Sequence, residues 1–201
     1  MSEKKYDYLI ILDFEATCFD INDKHTKPDH EIIEFPSVVV DIKAGKIVDK
    51  IEQFVKPKKN IELSLFCKNL TSITQSQVDG GIPLRDALKF HHKFVSNYQN
   101  SILVFCGDWD GFMLQKDAQF NNLDVPTFYK KWINIKIPFQ KIYNLDKSYC
   151  KNIGSMNGML KYLNMEFEGT PHRGICDCSN LANICIKMLS DGWEPRVTYQ
   201  I

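Results

Sequence analysis

The segment Tyr8-Leu9-Ile10-Ile11-Leu12 is apolar at five consecutive positions and stops abruptly at Asp13-Phe14-Glu15. A half-exposed strand alternates in polarity. One with no polar position has no face to give to water and fits a strand covered on both sides. Such a strand belongs in the middle of a sheet with a layer on each face. The two carboxylates that follow lie at i and i+2, which point to the same side of an extended chain. Like charges that close raise each other's pKa. A divalent cation relieves the conflict, and Mg²⁺ is typically held by one or two carboxylates plus substrate phosphate. A solvated strand end would show the same D-x-E, so the pair alone does not decide between them.

The rest of the chain reads as alternating strands and helices. Residues 32–42 and 47–55 read as strands, joined by a turn at Ala44-Gly45-Lys46. SILVFC at 101–106 is a second buried run, and a fifth strand is expected over residues 132–137. Helices are expected from Leu84, with Pro83 at the first helical position and Ala87, Leu88, Phe94 and Val95 on one side; after Asp110; over residues 155–163; and from Asp177 to Gly192. Three hairpin-linked strands followed by helix, strand, helix and strand imply a mixed five-stranded sheet in one α/β layered domain over residues 1–201.

Lys and Arg total 25 and Asp and Glu total 25, giving a formal charge of zero. A protein that coats nucleic acid by electrostatics alone is usually basic, so that class is disfavoured. A nucleic-acid enzyme is not, because bound cations carry the phosphate contact. No apolar run approaches a membrane span of ~18 residues. The first five residues, Met1-Ser2-Glu3-Lys4-Lys5, lack a signal-peptide pattern, and the seven cysteines are an odd number. Together these point to reduced thiols and a cytoplasmic protein, with a nuclear or nucleolar pool compatible. Cys176-Asp177-Cys178 has no second C-x₂-C partner that would make a zinc site.

Two further motifs carry chemistry. Asp110 in Cys106-Gly107-Asp108-Trp109-Asp110 falls where the fourth strand meets a helix, a common place for sites in open α/β sheets. His172 and Asp177 fall in Pro171-His172-Arg173-Gly174-Ile175-Cys176-Asp177, at the start of the last helix. An imidazole there can take a proton from water near neutral pH. Each aspartate also has an ordinary explanation as a helix N-cap, and Trp109 as core packing.

In combination and in this order, D-x-E, W-D and H-x₄-D resemble the DEDDh branch of the DnaQ-like 3′–5′ exonucleases. The segments DFEATC (13–18), HEIIEFPSVVV (30–40), LTSITQSQVD (70–79), GDWD (107–110), KKWINIK (130–136) and PHRGICDCSNLA (171–182) are similar to the Eri-1-like subfamily, which includes the histone-mRNA 3′-end exonuclease. The resemblance implies a ribonuclease H-like fold with helices on both faces of the sheet. It implies that Asp13, Glu15, Asp110 and Asp177 hold two Mg²⁺ (Mn²⁺ substituting) about 3.5–4 Å apart, with His172 as general base. It also implies terminal-ribose contacts at Glu15 and Ala16, base contacts at Leu70, Thr71 and Trp109, and RNA 3′ ends, single-stranded or with a short overhang, as the partner. Lys130, Lys131 and Lys136 are candidates to follow the phosphate backbone, and Arg173 to add positive charge near the phosphate. Longer relatives carry an extra nucleic-acid-binding module before the nuclease domain; here only a few polar residues precede Tyr6, so a nuclease domain alone is expected.

Overall fold

The computed structural model describes residues 6–20, 29–146 and 154–201. The first apolar run forms β1 (Tyr8–Ile11), which pairs antiparallel with β4 (Ser37–Asp41) and parallel with β6 (Ser101–Phe105). It is therefore central, as its lack of a polar face requires. β5 (Lys46–Ile51) flanks β4, β7 (Lys131–Asn134) flanks β6, and β8 (Tyr199–Gln200) closes the far edge. The order is β5-β4-β1-β6-β7-β8.

Alternation along β1 splits the core into two layers. Leu9 and Ile11 face one side, with Val38, Val40, Ile102 and Val104. Against them pack Leu181, Ile184 and Met188 of α7 (Gly174–Ser190) and Met159 and Leu160 of α6 (Met156–Tyr162). Phe139 of α5 (Lys136–Ile142) joins the same layer. Ile10 and Leu12 face the other side, where α3 (Leu84–Val95) and α4 (Trp109–Phe120) contribute Leu84, Ala87, Leu88, Met113 and Leu114. Helices thus cover both faces, as expected for this fold.

The sheet has six strands rather than five. Two residues, Tyr199 and Gln200, carry too little pattern to mark β8 in the sequence. The ring of Tyr199 stacks on Trp132 at 4.7 Å, which holds that edge. The expected strand at 32–42 is two: β3 (Ile32–Glu34) pairs with β2 (Glu15–Ala16) in a separate ribbon, and β4 begins after Phe35-Pro36. Pro36 has no N–H to continue a ladder. The strand expected at 47–55 ends at Ile51, and the one at 132–137 ends at Asn134. There α5 starts, with Pro138 in its first turn, where a missing N–H costs nothing. Pro83 stands at the N-cap of α3, one position earlier than expected.

Two short helices not read from the pattern, α1 (Leu65–Thr71) and α2 (Gln75–Asp79), depend on capping. Ser64 Oγ accepts the Cys67 N–H, and Thr74 with Gln77 forms a reciprocal capping box. Cys18, Cys67, Cys106, Cys176, Cys178 and Cys185 are free. No helix among the described residues is long and apolar enough to cross a membrane.

Candidate active site

Four acidic side chains and one histidine meet where the strands end. Leu12 N–H still bonds Val104 O, at 3.1 Å. The chain then leaves the sheet at Asp13 and places Glu15 on β2, directly opposite Glu34 of β3. Asp110 lies in the first turn of α4, is 4% exposed, and accepts the Phe14 N–H on Oδ1 at 2.8 Å. That bond ties the D-x-E turn to α4. Asp177 lies in the first turn of α7 and accepts the backbone N–H of His172. Helix N-termini favour such negative charges. Neither aspartate is an N-cap: the cap positions belong to Asp108 and Arg173, and neither makes a side-chain cap bond. Asp108 instead accepts Trp132 Nε1 and Asn134 Nδ2, each at 2.8 Å.

Glycine sets how closely α7 approaches. A Cβ on Gly174 would stand 2.5 Å from the Asp13 carbonyl oxygen, so only glycine lets the helix abut the strand end. Glu34 secures that contact by accepting the Gly174 and Ile175 N–H groups, each at 3.1 Å, and Arg173 Nε lies 3.7 Å from it. Arg173 also pairs with Glu52 and lies over the Phe54 ring at 5.0 Å. The expected contribution of Arg173 to phosphate binding is therefore corrected: its charge is already spent on Glu34 and Glu52. Glu34 itself was not singled out as functional in the sequence. Its signal is a lone glutamate in an otherwise apolar strand, Ile32-Ile33-Glu34-Phe35.

Electrostatics mark the cluster as strained toward protonation. Burial, and then the charges of Asp110, Asp177, Glu15 and Glu34, push the Asp13 carboxyl well above the usual range. Burial, with Asp177, Glu34 and Asp110, raises Glu15 to about 9. Burial raises Asp110 to about 7 against the Phe14 amide and Lys136, and Asp177 to about 7 against the His172 amide. Oδ2 of Asp177 is buried without a hydrogen-bond partner.

An all-oxygen, buried, mutually repelling donor set with an orphaned oxygen suits hard divalent cations. Among the described residues no three His, Cys, Asp or Glu side chains are arranged to enclose one ion. That is compatible with Mg²⁺, which takes one or two carboxylates and completes its shell with water and phosphate. Binding would displace protons that the raised pKa values retain.

The site opens into a cleft of about 390 Å³. Asp13, Glu15 and Asp177 line it, together with Ala16, Leu70, Trp109, Ser155, Asn157, Phe167 and His172. Trp109 is 52% exposed, which removes the core-packing alternative. His172 is exposed and adopts φ 60°, a left-handed conformation that costs a non-glycine residue free energy. Thr71 does not join them: it is fully buried, and its hydroxyl bonds Cys67 O and the Ile73 N–H inside α1. Lys130 and Lys131 stand at the start of β7, and only Lys136 follows its end, where the carboxylates are. The three lysines therefore do not form one track.

Residues 10–185 match the exonuclease family RNase_T. The human 3′–5′ exoribonuclease 1 is 38% identical over 203 residues, covering 98% of this chain and 56% of that protein. The Drosophila melanogaster 3′–5′ exonuclease Snipper is 31% identical over 210 residues, covering 96% of this chain and 73% of that protein. This chain spans about half the length of the mammalian exoribonucleases it matches. The solved nuclease domain of 3′hExo, a DEDDh family member bound to rAMP, superposes with a TM-score of 0.90 at 37% identity, covering 98% of both chains. Cell-death related nuclease 4 superposes at 0.81 with 26% identity, covering 94% of this chain and 65% of that one.

Proposed function

The chain belongs to the RNase_T exonuclease family, and from that premise we propose that it is a 3′–5′ exoribonuclease that releases nucleoside 5′-monophosphates from RNA ends. The observation that carries the reading is that Asp13, Glu15 and Asp177 line one cleft with His172, and that the buried Asp110 lies close enough behind them to act on Asp13.

Members of the family depend on divalent metal ions. Asp13, Glu15, Asp110 and Asp177 are the residues that would hold them, as two Mg²⁺ with Mn²⁺ able to replace them. Bound there, the ions offset the four carboxylates and supply the positive charge that orients the phosphodiester and its displacement. His172 accepts a proton from the attacking water at an imidazole nitrogen, in exposed surroundings that let water in. Its backbone N–H donates to the Asp177 carboxylate, and Glu34 grips the start of α7 beside it.

Selection of the chain end falls to Glu15 and the Ala16 backbone, which hydrogen-bond the terminal ribose in this reading, and a contact to the 2′-hydroxyl distinguishes RNA from DNA. Leu70 and Trp109 offer apolar surfaces for the terminal base, a sequence-tolerant contact. A cleft of this size takes the end of a single strand or overhang, which fits a neutral protein better than long electrostatic grip does. A cytoplasmic enzyme with a nuclear or nucleolar pool, acting as one nuclease domain over residues 1–201, is the setting consistent with that substrate.

Matched RNA and DNA oligonucleotides test the substrate. Faster loss of nucleoside 5′-monophosphate from RNA supports the reading. Faster cleavage of DNA makes the protein a DNA exonuclease on the same site, and binding without release of product makes it a scaffold.

A further inference from the structure

Lys136 stands beside the acidic cluster and, among the described residues, has no salt-bridge partner of its own. It opens α5 two residues after β7, and its Nζ lies 3.7 Å from the point where a Cβ on Gly107 would stand. Gly107 has φ +126° and connects β6 to the helix bearing Asp110. The strand order β1-β6-β7 therefore lines up Asp13, then Gly107 and Asp110, then Lys136, along one end of the sheet. Lys136 is half-buried, and among the described residues no carboxylate comes within ion-pair distance of it. Its field reaches both Asp110 and Cys106. A partly desolvated ammonium without a counter-ion costs free energy, and an anionic ligand supplies the missing charge.

What lies beyond it is a hollow of about 160 Å³ lined by Lys136, Ile137, Gln140, Leu145, Gly154 and Met159. Gly154 adjoins Ser155, which lines the catalytic cleft, so hollow and cleft share a rim. On the reading above the terminal nucleoside lies in the cleft with Glu15, Leu70 and Trp109, whereas Lys136 lines the adjoining hollow. The shared rim gives a strand whose scissile phosphate lies at the carboxylates a path toward Lys136. On that path the next phosphate meets Lys136, a cation with no ion-pair partner among the described residues.

We propose that Lys136 binds the phosphate immediately 5′ of the scissile one, and that the hollow beside it takes the edge of the penultimate nucleoside. This rests on the exonuclease reading above and adds to it a second subsite. Lysine serves as a phosphate-binding point charge without the two-pronged geometry of arginine.

Dinucleotides with and without that phosphate isolate the contact. ApA carries only the scissile phosphate; pApA carries the next one as well. Wild-type protein should show a kcat/KM for pApA about tenfold or more above ApA, the range of a charge-assisted hydrogen bond. The preference should reside mainly in KM and shrink as salt rises. Lys136→Met should bring the pApA-to-ApA ratio close to one, and Lys136→Arg should restore part of it. Circular dichroism of both variants checks that they fold. An unchanged ratio in Lys136→Met overturns the subsite, as does an equal loss on both substrates, which would put the lysine on the scissile phosphate or the carboxylates. Wild-type protein that cleaves neither dinucleotide yet shortens 5′-labelled RNA overturns the subsite alone, and one that shortens no RNA overturns the exonuclease reading and the subsite with it.

Discussion

Asp110→Asn should make the metal-free protein more stable at pH 8 and inactive at every pH. The Asp110 carboxyl titrates at about 7 against an ordinary 3.8, chiefly because it is buried, and it is 4% exposed. An acid with a raised folded-state pKa binds more protons folded than unfolded between those two values, so its presence lowers stability as pH rises through that window. Above pH 7 the full cost is roughly 4 kcal/mol, from about three pH units at ~1.4 kcal/mol each. At pH 5 less than half of it remains, and below the ordinary pKa it vanishes. Asparagine keeps an oxygen for the Phe14 N–H but brings a buried amide whose desolvation costs about 1–3 kcal/mol if unpaired. The net expectation in EDTA is a gain of about 1–3 kcal/mol at pH 8, read as a melting midpoint higher by about 2–4 °C per kcal/mol, and no gain at pH 5. Excess Mg²⁺ should reverse the order, because the wild type gains about 2.7 kcal/mol at a hundredfold excess over its Kd while the variant has lost a ligand. Thermal unfolding at the two pH values, with and without metal, measures all of this. A difference between variant and wild type that is the same at pH 5 and pH 8 refutes the reasoning.

His172→Ala should lower kcat by about 10²–10⁴ while leaving metal-induced stabilisation in place, which calorimetric melting with Mg²⁺ would show. Gly174→Ala should destabilise by about 1–3 kcal/mol through overpacking, because its Cβ meets the Asp13 carbonyl at 2.5 Å; unfolding in urea gives the number. Trp109→Ala should weaken oligonucleotide binding by about 1–3 kcal/mol with little dependence on base identity, measured by fluorescence titration with the inactive Asp110→Asn background in both arms.

The layered architecture and the five candidate catalytic positions were legible because each left a local mark. An all-apolar run can only be central, whereas the carboxylates at its end became candidates only together with W-D and H-x₄-D, through the resemblance those three carry in order. Elements whose stability is not local left none. β8 exists because Tyr199 stacks on Trp132, sixty-seven residues away. The split at Pro36 was visible as a proline but masked by apolar residues on both sides. The Thr74-x-x-Gln77 box was a readable helix start that periodicity alone passes over. Roles that depend on distant partners leave no local mark either. Thr71 looks like a polar rim residue until α1 buries it, and Arg173 looks free until Glu34 and Glu52 are found across the strand end. Glu34 shows its purpose only once α7 is docked on β3.

The most direct test of the central claim is a time course on 5′-labelled single-stranded RNA with Mg²⁺, with Mn²⁺ and with EDTA. Stepwise shortening from the 3′ end with either metal, abolished by EDTA and by Asp177→Asn, is the expected result. Full-length RNA persisting with both metals, or shortening that continues in the Asp177→Asn protein, would contradict the account.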